Sequence, residues 1–179
     1  MSDSPLQILA LNAFDPAAST DLAPDVGRLV ERRRASFGAT SVLFYEKPLH
    51  VVEGRGTRLI TADGTAYLDL YNNVPSVGHC HPRVVAAVRD QVGRLNVHTR
   101  YLFDVVHAYA ERLLATFPAP LDKVLFTCTG SESNDLALRM ARLTTGGLGV
   151  VVTETAYHGN TTAVTEVSPS SYRRGGPPA

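Results

Sequence analysis

One stretch constrains this chain more than any other: Val124-Leu125-Phe126-Thr127-Cys128-Thr129-Gly130-Ser131-Glu132-Ser133-Asn134-Asp135. A β-rich apolar run stops at Thr-Gly-Ser and gives way to helical periodicity. Leu136, Met140 and Leu143, with Ala137 and Ala141 beside them, recur at three- and four-residue spacing, while Arg139 and Arg142 fall elsewhere. Thr129 suits the N-cap, and Glu132 three residues on can complete a capping box, with Gly130 and Ser131 as the first helical residues. The free N–H groups of such a terminus and its dipole favour an anion such as phosphate. The Ser131 hydroxyl can add a hydrogen bond, and Gly130 leaves the backbone approachable. From these residues alone an ordinary strand-to-helix turn is the competing reading, because a short glycine-containing turn is a weak signal without context.

A second apolar run, Gly149-Val150-Val151-Val152-Thr153, follows the helix after Gly146-Gly147. Strand, helix and strand within about 30 residues make a βαβ unit, which implies parallel strands and a right-handed crossover. Tyr157-His158-Gly159-Asn160 then falls just past the carboxyl end of the second strand. That is the edge where open α/β sheets bind ligands, so Gly130 and Tyr157 are expected at one crevice.

Ahead of this unit, residues 1 to about 27 mix Pro, Asp, Ala and Ser without periodicity and read as an arm, followed by a short helix over Val26–Phe37. Its arginines, Arg32 to Arg34, read as solvated rather than ligand-binding. Four runs, Val42–Tyr45, Leu49–Val52, Thr57–Ile60 and Ala66–Leu70, read as a small antiparallel sheet, with Asp63-Gly64 as a hairpin turn. Pro82 suits the first turn of a helix carrying Val84, Val85, Val88 and Val92. Val105, Val106, Tyr109, Leu113 and Leu114 mark another that ends before Pro118. His79, Cys80 and His81 invite a metal reading, but near-adjacent side chains rarely converge on one ion and no second ligand pair stands at a suitable spacing. Ser168 to Ala179 read as a loop cut short, and two parallel strands make a small sheet, so the fold reads as incomplete.

The 17 basic and 17 acidic residues cancel, which points away from nucleic acid and membrane surfaces and towards small ligands. Two cysteines, no signal-like start and no long apolar segment suggest a cytoplasmic protein with reduced thiols. Of the basic residues only Lys47 and Lys123 are lysines.

Taken together, Leu70-Tyr71-Asn72-Asn73, Val77-Gly78-His79-Cys80-His81-Pro82, Thr99-Arg100-Tyr101-Leu102, Thr129-Gly130-Ser131-Glu132-Ser133-Asn134 and Ala156-Tyr157-His158-Gly159 resemble the class III aminotransferases. These are pyridoxal-phosphate enzymes of fold type I, and the resemblance is nearest to the branch of alanine–glyoxylate aminotransferases and phospho-lyases. It runs from about residue 40 to residue 170, over roughly the first third to half of a family member. It implies an α/β fold divided into an arm with a short helix (1–40), a small antiparallel-sheet region (41–75) and the beginning of the large cofactor domain (76–179). It further implies that Gly130 and Ser131 hold the cofactor phosphate, that Tyr157 stacks on the pyridine ring, and that His158 and Glu132 stand behind them. Asn73 and Arg100 are expected at the substrate pocket or dimer interface, or in purely structural roles. The partners implied are an amine or amino acid, a keto acid and a second copy in a homodimer. Ser133 departs from the alanine usual in the motif. The Schiff-base lysine and the aspartate that holds the pyridine nitrogen lie downstream of this region in the family, and neither Lys47 nor Lys123 matches that lysine. No catalytic residue is therefore assigned, and a non-catalytic chain that binds phosphate weakly or pairs with a full-length relative is the alternative.

Overall fold

The computed structural model describes residues 13–15, 21–38, 42–71, 73 and 76–171. Most of the arm, Asn72, Val74 and Pro75 of the polar loop, and the tail from residue 172 lie outside the described residues. The chain divides into two compact units, residues 12–102 and residues 103–179 with 1–11.

The first unit opens with α1 (Pro24–Phe37), two residues earlier than the periodicity implies. Proline at the first helical position needs no N–H partner, Asp25 and Arg34 complement the helix dipole at its two ends, and the Gly38 amide closes the last turn on Arg34 O (3.0 Å). Val26, Leu29 and Phe37 line an open groove of about 350 Å³ shared with Leu43 and Leu49. The Arg33 guanidinium lies 4.7 Å from the centre of the Phe37 ring one turn on.

A three-stranded antiparallel sheet follows in the order β1 (Val51–Arg55), β2 (Arg58–Thr61), β3 (Ala66–Leu68). Gly54 faces Leu59 in the first pair, and Leu59 faces Tyr67 in the second. The Asp63-Gly64 turn is where the sequence puts it. The Asp63 carboxylate accepts from the Thr61 hydroxyl (2.6 Å) and the Thr65 amide (3.0 Å), which is why Asp suits the position. The expected strand Val42–Tyr45 does not form. Phe44 makes only an isolated bridge to Ala13, because Tyr45 takes φ +71° and turns the chain out of the extended region. After β3 the loop is pinned back on the hairpin, His79 and Gly56 exchanging backbone hydrogen bonds of 2.8 and 3.0 Å. Gly78 (φ +89°) is required there, since a Cβ would stand 2.9 Å from Gly56 O. The His79 ring meets the Asp69 carboxylate at 2.8 Å, an aspartate side chain only 2% exposed. That hydrogen bond, with those from the Tyr71 amide and Asn73, outweighs burial and holds the Asp69 carboxyl below the usual carboxylate range. The unit ends with α2 (Pro82–Arg94), whose Val84, Val88 and Val92 are exposed.

The second unit contains α3 (Asp104–Leu114), α4 (Gly130–Thr145), the single turn α5 (Thr162–Thr165) and a 3-10 turn over Pro169–Ser171. Tyr109 of α3 packs on Phe126 with ring centres 5.5 Å apart. Gly146, left-handed at φ +70°, ends α4 with its amide on Arg142 O (2.9 Å). The runs Val124–Cys128 and Gly149–Thr153 flank α4 as expected, but neither carries a strand ladder among the described residues. A parallel ladder is stabilised by apolar cover on both faces, whereas Leu125 is 65% exposed and Val151 fully so. Val164 and Ser168 are the fully enclosed side chains of the described residues, so Ser168 belongs to the packed interior and not to a trailing loop.

Candidate functional site

The site is built on the first turn of α4. Thr129 is its N-cap in extended geometry (φ −146°, ψ 158°), and its hydroxyl accepts the Glu132 amide at 3.1 Å. The other half of the capping box departs from expectation. The Glu132 carboxylate accepts from the Cys128 amide (2.8 Å), one residue upstream of the N-cap. That shift leaves the Thr129 N–H without an acceptor, and the first-turn N–H groups of Gly130 and Ser131 have none among the described residues either. Unpaired amides at the positive end of a 16-residue helix are an anion cradle. A Cβ built on Gly130 meets nothing within 4 Å, so open space stands above the backbone at this point. The Ser133 hydroxyl serves the cap instead, meeting that of Thr127, which donates to Thr129 O (3.2 Å) and ties the incoming chain to the helix.

The Tyr157-His158-Gly159 segment lies against the same turn. Gly159 is buried, takes φ +138°, and approaches so closely that a Cβ there would stand 2.6 Å from Ser131 Cα. Only glycine permits both the dihedral and the contact. The Asn160 amide donates to Ser131 Oγ (3.0 Å), which leaves the Ser131 O–H free to donate in turn. The Asn134 side-chain amide donates to His158 O (2.7 Å), and the His158 amide donates to Ser168 Oγ (3.0 Å). The Ser168 hydroxyl in turn donates to Val164 O (2.7 Å), and the Ser170 amide donates to Ala156 O (3.1 Å). Tyr157 is thereby carried on a fixed backbone with its side chain 59% exposed.

Gly130, Ser131, Glu132, Tyr157 and His158 therefore lie on two adjoining segments of one unit. Asn73 and Arg100 belong to the other unit, where the Asn73 side chain donates to Asp69 (3.2 Å) and the Arg100 amide to His98 Nδ1 (3.2 Å). Gly159, Asn134 and Ser168 had no assigned part in the sequence reading. Gly159 was legible in principle, as a glycine two residues after an aromatic just past the second apolar run. Ser168 carries no local signal, because burial of a serine is decided by what packs around it. Lys123 is exposed and reaches Asp122 (2.8 Å).

The Aminotransferase class-III family model matches residues 43–178. An alanine–glyoxylate aminotransferase 2-like protein of Drosophila melanogaster is 40% identical over 148 residues, 82% of this chain and 30% of that protein. A phospholyase from Arthrobacter, solved in complex with phosphoethanolamine, is 48% identical with a TM-score of 0.77, covering 80% of this chain and 34% of that one. A transaminase solved with pyridoxal phosphate bound is 28% identical with a TM-score of 0.65, covering 81% of this chain and 35% of that one. The chain thus spans about a third of the length of the proteins it matches.

Proposed function

Because the chain belongs to the class III aminotransferases, with the fold type I architecture of its solved neighbours, we propose that it forms the cofactor phosphate and ring site of a pyridoxal-phosphate-dependent aminotransferase. The protein would move an amino group between an amine or amino acid and a keto acid, as a cytoplasmic homodimer. The observation that carries this reading is the approach of Gly159 to Ser131, which sets Tyr157 and His158 beside three unpaired amides.

The residues present fit the group. The amides of Thr129, Gly130 and Ser131 and the Ser131 O–H offer hydrogen-bond donors to phosphate oxygens, and the α4 dipole adds to their attraction. Tyr157 offers an exposed ring for stacking on a flat heterocycle. Bound there, pyridoxal phosphate supplies an electron sink for chemistry at the carbon bearing the amine. Glu132 holds the chain entering the helix through Cys128, and so keeps its own charge turned to an amide. For these 179 residues alone the reading is cofactor binding without turnover, since neither Lys47 nor Lys123 stands where the family's Schiff-base lysine does. Elimination of phosphate from a phosphorylated amino alcohol is a second reading, favoured by the 48% identity to the Arthrobacter phospholyase.

Titration with pyridoxine 5'-phosphate, which lacks the aldehyde and cannot condense with a lysine, tests the site. Binding that exceeds that of unphosphorylated pyridoxine and is lost in the double variant Gly130→Val, Ser131→Ala is expected. Equal binding of the two compounds would remove the phosphate assignment.

A further inference from the structure

We infer that Asn134 and Ser168 are positioning residues for the ring-binding segment, an assignment that rests on the cofactor reading above. The segment 156–160 has no strand or helix of its own, and Tyr157 makes no backbone hydrogen bond among the described residues. Its order comes from its neighbours' backbone groups. The His158 residue is held at both its backbone groups by side chains, its carbonyl by Asn134 Nδ2 (2.7 Å) and its N–H by Ser168 Oγ (3.0 Å). Those two side chains come from different elements, α4 and the turn after α5, so the segment is gripped from two sides.

Each gripping residue is otherwise a poor choice where it stands. Asparagine in the body of a helix loses propensity relative to alanine or leucine, and here the loss is offset by a tertiary hydrogen bond. Serine in a fully enclosed position must satisfy its hydroxyl. Ser168 does so by accepting from His158 and donating to Val164 O (2.7 Å). Neither side chain bonds to the amides of Thr129, Gly130 and Ser131, which the first turn of α4 presents; the segment meets that turn through the Asn160 amide on Ser131 Oγ (3.0 Å). Those amides are intrinsic to the helix, whereas the placement of Tyr157 depends on Asn134 and Ser168, so phosphate capture by the amides and ring capture are separable.

The test measures, for the full 179-residue chain, affinities for pyridoxine 5'-phosphate and for inorganic phosphate, together with hydrogen exchange at the His158 amide. Ser168→Ala should lower the preference for pyridoxine phosphate over phosphate by about three- to tenfold, the worth of one aromatic contact. Affinity for inorganic phosphate should hold, and the His158 amide should lose protection. Ser168→Cys, which keeps the volume and a weak acceptor, should fall between. If Ser168→Ala fails to fold, Asn134→Leu, on the part-buried face of α4, carries the same expected loss of preference. An unchanged preference, or an equal fall in both affinities, overturns the assignment, the second because general loosening would weaken phosphate as well. A wild-type chain with no preference for the ring-bearing ligand overturns the cofactor reading and this inference together. An intact wild-type preference that neither variant alters overturns this inference alone.

Discussion

Replacing Gly159 by alanine tests the contact on which the site depends. The added methyl would lie 2.6 Å from Ser131 Cα and nearer still to Ser131 Oγ, inside any distance that carbon atoms tolerate. It would also sit at φ +138°, where a side chain costs roughly 1–3 kcal/mol. Overpacking against a rigid helix turn adds a similar ~1–3 kcal/mol. The chain can escape by letting residues 158–160 lift away. It then loses the Asn160–Ser131, His158–Asn134 and His158–Ser168 hydrogen bonds, each worth about 1 kcal/mol. That route costs about 3 kcal/mol and opens the segment while α4 stays folded. Urea denaturation should show the loss, and hydrogen exchange should show it concentrated at the Asn160 and His158 amides. The same variant should lose most of its affinity for pyridoxine 5'-phosphate. A Gly159→Ala protein within ~0.5 kcal/mol of wild type, with the Asn160 amide still protected, would show that the approach of the two segments is not what the geometry implies.

Gly130→Ala should behave in the opposite way. A Cβ there meets nothing within 4 Å, so stability should hold or rise by ~0.5 kcal/mol, while affinity for pyridoxine 5'-phosphate drops about tenfold; unchanged affinity would mean that no ligand approaches Gly130. Stability should depend on pH through Asp69, whose folded-state carboxyl titrates below its unfolded value because of the His79 hydrogen bond. The unfolded chain then binds the proton first as pH falls, so the contribution is present above about pH 4 and is lost on acidification through the lower folded value. Urea midpoints between about pH 3 and 5 should slope less steeply for Asp69→Asn than for wild type, and identical slopes would dismiss the pair. Val84, Val88 and Val92 of α2, with Leu125, Phe126 and Val151, leave broad apolar surface exposed among the described residues, and light scattering should find self-association, whereas a stable monomer at tens of micromolar would contradict it.

Much of this protein was determined by sequence alone, wherever local chemistry decides local geometry. Thr129 at the N-cap of α4, Pro82 at a first helical position, Gly146 at a helix end and Asp63-Gly64 at a hairpin all act over a few residues, and each stands where its chemistry puts it. The motif series led to the family and its cofactor through order and spacing, with no need of coordinates. Tertiary structure decided the rest. Val42–Tyr45 and the two runs beside α4 have the composition of strands, yet ladders need neighbours and cover that composition cannot supply. The turn of Glu132 to Cys128, the seat of Gly159 on Ser131, and the grip of Asn134 and Ser168 on His158 come about only through where the backbone runs. A hydrogen bond between distant residues leaves no periodicity behind it, which is why the N-cap of α4 was legible in the sequence and the contacts that seat the Tyr157 segment against it were not.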